Sequence, residues 1–168
     1  MMKKEGVVWV STILYTAISL AIIGMLLAVV QPKIAQLKDS IIIEQTKTSL
    51  NKIDETLLNT KEAAGMRLYS ELKLGKGQLF IDAINDSIKW TYLSSYKYSE
   101  INRTFRDIGN IYALTEKVVD KYKLTFKLNY TVNLTINSKD EEKIIQEAPI
   151  PYKIWFENKG SYIDIAIE

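Results

Sequence analysis

Residues 7–30 read VVWVSTILYTAISLAIIGMLLAVV, 24 positions without one charged side chain. As an α-helix the stretch is about 36 Å long, against a bilayer hydrocarbon core of about 30 Å. Its hydroxyl residues Ser11, Thr12, Thr16 and Ser19 can bond back to a carbonyl one turn earlier, so they do not forbid apolar surroundings. The stretch predicts a membrane-spanning helix with room for tilt, and membrane lipid as a partner. Everything after it is read as something this helix carries.

On its N-terminal side stands MMKKEG, residues 1–6. A secretory signal has an apolar segment of about 7–15 residues followed by a small-residue cleavage site. Here the run is longer and no such site follows it. The residues themselves leave a plain anchor helix as the expectation. Charge alone does not orient the helix. Lys3 and Lys4 precede it, and Lys33, Lys38 and Lys47 follow it, diluted by Asp39 and Glu44.

On the other side Pro32 bends a continuous helix or starts a new one. Ile34, Leu37, Ile41, Leu50, Ile53 and Leu57 then recur at helical spacing, with Lys38, Asp39, Glu44, Lys47, Lys52 and Glu55 between them as a charged reverse face. This stripe is expected to pack on its own domain. The heptad is interrupted between Ile41 and Leu50, which argues against a dedicated coiled coil. The run Ile41-Ile42-Ile43 is apolar all round and predicts cover on more than one side. Gly65 is a helix stop. The helix is therefore expected over 7–64.

After Gly65 the period changes from 3.6 to 2. Residues 68–74 alternate, Gly75-Lys76-Gly77 turns, and 78–83 follows, which predicts a hairpin. Asn85-Asp86 is a second turn, before a strand over 87–92. Residues 93–108 show no period, and 110–118 is a further strand. Residues 122–136 carry the clearest alternation, Tyr122, Leu124, Phe126, Leu128, Tyr130, Val132, Leu134 and Ile136 on one face. One strand of that length would extend about 50 Å, so it is expected to bend or to cross between sheets. Residues 137–140 turn, and 142–147 are expected to run back beside it. Pro149 and Pro151 break the ladder, and 152–157 pairs with 161–167 around Asn158-Lys159-Gly160. One-sided alternation with short turns predicts antiparallel sheets with one buried face. The expected fold class is α+β, a long N-terminal helix followed by an antiparallel β-sandwich over 66–168.

The 168 residues hold 22 basic and 20 acidic side chains, interspersed, with no Cys and no His. No basic block points to nucleic acid. Disulfides, thiolate metal sites and His- or Cys-based triads are excluded. Gly75-Lys76-Gly77 is too short for a phosphate loop and opens a strand. Asp82 and Asp86, or Asp140-Glu141-Glu142, read as turn chemistry and a solvated charge run rather than an acid/base pair or calcium site. Trp90, Tyr92, Tyr96 and Tyr98 read as core and edge rather than a stacking platform for sugar or single strands. Neither catalysis nor a cofactor is expected.

Ala21-Ile22-Ile23-Gly24, with Pro32 eight residues after Gly24, resembles the N-terminal helix of type IV pilins. So does a short basic leader ending in Gly, Lys3-Lys4-Glu5-Gly6 here. The resemblance covers about the first 35 residues and is closest to the archaeal class III signal peptide proteins. It differs in having Val7 where archaeal precursors often carry Gln, and Ser11 where bacterial pilins carry Glu. The resemblance implies cleavage between Gly6 and Val7 by a prepilin peptidase. It also implies a helix that packs against copies of itself or other pilin-like subunits through Val7, Val8, Val10, Ser11, Leu14, Ile18, Ile22, Gly24, Leu27 and Pro32. The implied function is a structural subunit of a surface filament, membrane-held before assembly. The alternative is a single-pass anchored extracytoplasmic protein that never polymerises: an accessory pseudopilin, a stator-like component or a ligand-binding module. Either way the C-terminal part is expected outside the cell. Four Asn-x-Ser/Thr sequons, at Asn85, Asn102, Asn129 and Asn133, fit that side and are the candidate glycosylation sites.

Overall fold

The computed structural model describes residues 4–168, with side chains from Trp9 onward. The expected leader cleavage, and the packing roles of Val7 and Val8, fall on side chains outside the described residues. One 58-residue helix, α1, spans Lys4–Lys61 and carries Pro32 inside it. It ends three residues before the expected stop. A short turn follows, and Gly65 adopts a φ of 80°, a conformation that favours glycine. The Asn158 side-chain amide donates to the carbonyls of Thr60 and Lys61, each at 3.1 Å. Two of the helix's last orphan acceptors are thereby met.

Ten strands follow: β1 (Arg67–Leu72), β2 (Gln78–Asp82), β3 (Ser87–Ser94), β4 (Phe105–Arg106), β5 (Tyr112–Val118), β6 (Lys121–Asn129), β7 (Asn133–Ile136), β8 (Glu142–Ile145), β9 (Tyr152–Asn158) and β10 (Tyr162–Ile167). They form a four-stranded sheet, β1-β9-β10-β7, and a six-stranded sheet, β4-β5-β6-β3-β2-β8. The chain is α+β, a long N-terminal helix and an antiparallel-rich β-sandwich.

Several expectations are corrected by the pairing. β1 and β2 form no hairpin: β1 pairs with β9, and β2 with β3 and β8. The segment Gly75-Lys76-Gly77 carries the chain from one sheet to the other. Gly77, at a φ of 82°, lies so close to the Thr91 carbonyl and the Trp90 indole that a Cβ would stand 2.4 Å from that oxygen. The long alternating run does cross between sheets, as β6 and β7. Its register survives because Tyr130 and Val132, in the link, keep the same parity. β8 does not run back beside β7 but pairs with β2. β7 joins β10 in parallel, an exception to the antiparallel expectation.

One core holds both sheets and the helix together. Trp90, Phe126 and Phe156 are its largest buried side chains, and Ile43, Leu50, Ile53 and Leu57 reach it from α1. The helical stripe is also corrected. Asp39, Ile43, Thr46, Leu50, Ile53, Leu57 and Thr60 are buried at alternating steps of four and three, a heptad seam, and Asp54 is buried beside it. Ile34, Leu37 and Ile41 lie outside it at 44, 63 and 55 % exposure. Of Ile41-Ile42-Ile43, Ile43 is buried and Ile42 is partly buried against the core, while Ile41 stays exposed, so the cover does not go all round.

Candidate functional site

The first site the sequence singles out is the apolar helix itself. From Trp9 to Val30 no described side chain is buried, so Val10, Leu14, Ile18, Ile22 and Leu27 all present their apolar faces outward. This is the one helix, among the described residues, long and apolar enough to cross a membrane. Thr16 Oγ donates to the carbonyls of Thr12 and Ile13 at 3.0 and 2.9 Å, the internal satisfaction that apolar surroundings require. Gly24 has open space where a Cβ would stand, so another backbone can approach there.

Sequence reasoning missed the polar clamps that fix α1 to the sheets. Asp39 accepts hydrogen bonds from the Tyr92 hydroxyl and, at 2.6 Å each, from the Ser95 amide and hydroxyl. Burial opposes charge on Asp39, but the bonds from Ser95 and Tyr92 outweigh it and hold the carboxyl below its ordinary range. Burial, with Asp39 beside it, raises the Tyr92 hydroxyl. Two turns on, Lys47 pairs with Glu44 at 2.8 Å and donates to the Tyr98 hydroxyl at 3.2 Å, and Tyr98 donates to Asp107. Burial and Asp107 push Tyr98 up to about 12. Two turns further, Asp54 accepts from Asn110 at 2.9 Å. Its second carboxylate oxygen and the Tyr130 hydroxyl are both buried, and the hydroxyl bears on the carboxyl. Burial pushes Asp54 up and Tyr130 well up. With Asn158 at the helix end, α1 is held at four levels along about 30 Å.

The signal for these clamps is present in the sequence only as charged residues on the seam, Asp39, or one step from it, Lys47 and Asp54, and apolar periodicity passes over them. The other candidates resolve simply. Asp82 accepts from the Ile84 and Asn85 amides and the Asn85 side chain, and Asp86 from the Leu134 amide. Both do turn chemistry. Trp90 and Tyr92 are core, Tyr98 half-buried and Tyr96 at the edge. No group of three acidic, His or Cys side chains stands together among the described residues. Asn85, Asn102, Asn129 and Asn133 are all exposed. No protein-family model matches the chain, and no curated protein or solved structure matches it.

Proposed function

We propose that the chain is a type IV pilin-like structural subunit, held in a membrane by α1 and built into a surface filament through the same residues. One observation carries this reading: a continuous helix whose first half is apolar and uncovered and whose second half is part of a folded head. Uncovered apolar area of that extent needs lipid or protein around it. Lipid suffices for 7–30. It does not suffice for Ile41, which lies 11 residues and about 16 Å past Val30, beyond the headgroup layer. The stripe Ile34, Leu37 and Ile41 calls for neighbouring helices, which a lone anchored protein lacks. The exposed sequons fit a head outside the cell, where they serve as acceptors.

The test is the mature N-terminus. Mass spectrometry of protein from the cell surface is expected to find Val7 first. Residues 1–6 still attached to protein in an assembled filament would overturn the cleavage and leave the anchored alternative. Electron microscopy of sheared surface material supplies the second readout, filaments containing this chain.

A further inference from the structure

β6 runs along α1. Ser94, its register partner at Tyr122, lies at Asp39 with Ser95, and at its other end Asn110, two residues before the Tyr112 that pairs with Lys127, bonds Asp54 at 2.9 Å. Asp39 to Asp54 rises about 22 Å as helix, and Tyr122 to Tyr130 extends about 26 Å as strand. The two lengths agree closely enough that β6 and the helix axis are near parallel. The β5–β6 turn, Val119-Asp120, therefore points back toward the apolar half of the helix. Asp39 stands about 13 Å past Val30, and the turn reaches about 8 Å back from Tyr122. The turn thus comes within about 5 Å of the level of Val30. The headgroup region adds about 5–7 Å on each side of the hydrocarbon core.

The side chains at this end suit that place. Val119 is 82 % exposed and holds a φ of 52°, an unusual backbone for a β-branched residue. Val118 beside it is exposed too and, with Leu93 and Lys123, lines an apolar groove of about 530 Å³. Lys121 and Lys123 follow the turn on β6. Lys33 and Lys38 stand on the helix below Asp39, and Lys76 is close enough to act on Asp39. Against these stand Asp120 and Glu116, and Glu116 lies 3.7 Å from Lys123.

We propose that the β5–β6 turn is a second membrane contact, with Val119 entering the headgroup layer of an anionic bilayer and the surrounding lysines facing lipid phosphates. Hydrophobic tip and basic collar are the two elements of interfacial binding. The proposal rests on the membrane-held reading of α1.

The chain has no cysteine, so single labels are available. Full-length Val119→Cys, Ile18→Cys and Asn85→Cys carry an environment-sensitive fluorophore in phosphatidylcholine vesicles with and without phosphatidylglycerol, with nitroxide lipids as quenchers. Expected is deep quenching at Ile18, headgroup quenching at Val119 that is roughly twofold stronger with phosphatidylglycerol, and none at Asn85 on the β2–β3 turn. Lys121→Glu with Lys123→Glu is expected to abolish the phosphatidylglycerol dependence. Ile18 quenched and Val119 unquenched would overturn the second contact and leave the anchor standing. Neither quenched would overturn both. A Val119 signal that follows protein density rather than lipid charge would mean contact between copies and would also overturn it.

Discussion

At the scale of single residues, Asp39 is the most informative. Its folded pKa lies below the unfolded value. Its stabilisation is therefore complete above the ordinary carboxylate range and is lost as pH falls through the folded value. Asp54 has the opposite sign. Its folded pKa is raised, so it subtracts stability as pH rises through that value. Urea unfolding in detergent is expected to show Asp39→Asn less stable by about 2 kcal/mol at neutral pH, a deficit that shrinks in acid. Asp54→Asn is expected to be neutral or more stable by about 1 kcal/mol at neutral pH, since it discharges a carboxyl whose charge burial opposes. A large loss in Asp54→Asn would show that the charge is needed. Val119→Asn is expected to gain about 1 kcal/mol, because Asn visits the left-handed region more readily than a β-branched side chain. A stabilising change at the tip that weakens lipid contact would mark the strain as functional.

At the scale of elements, the helix register separates what the sequence displays from what it hides. Leu50, Ile53 and Leu57 fall on both the apolar stripe and the buried seam. Below them the two diverge, because Thr46 and Asp39 occupy seam positions and Ile41 does not. Hydrogen bonding by head residues distant in sequence makes a buried Asp tolerable, and no local pattern reveals those partners. The strands follow the same logic. Alternation marks β6, β9 and β10, and the Asn158-Lys159-Gly160 turn marks their local hairpin. The chemistry of Gly75-Lys76-Gly77 announces a turn but not which sheet the chain enters next. The parallel β7–β10 pair joins residues far apart in sequence, which periodicity cannot pair. The register is testable with one pair of variants. Leu50→Ala is expected to cost about 3 kcal/mol of stability, and Ile41→Lys less than about 0.5 kcal/mol. The second variant is nevertheless expected to remove surface filaments in electron micrographs. Equal stability losses at the two positions would restore the continuous stripe.

At the scale of the whole molecule, the apolar half of α1 and the head are joined by a helix that belongs energetically to the head. Ile43, Leu50, Ile53 and Leu57 sit in the same core as Trp90 and Phe156. The functional division therefore falls near Lys38, just before the first clamp, rather than at the end of the helix. A chain of residues 38–168 keeps the seam, all four clamps and both sheets, and is expected to be a soluble monomer with cooperative thermal unfolding. A chain of residues 66–168 keeps every strand but exposes the core face that α1 covers and frees Tyr92, Tyr98 and Asn110 from their helix partners. It is expected to aggregate or to lack near-ultraviolet dichroism, since a small sandwich has little stability to spare for an uncovered apolar face. Size-exclusion chromatography and thermal melts of the two chains decide the matter. Cooperative folding of 66–168 would make the helix a detachable stalk. Failure of 38–168 would mean that the head needs the apolar segment too. The expected result has a consequence for assembly. With the helix held at four levels, packing along residues 7–41 in the proposed filament would fix the orientation of each head, and with it the subunit register, without a flexible linker.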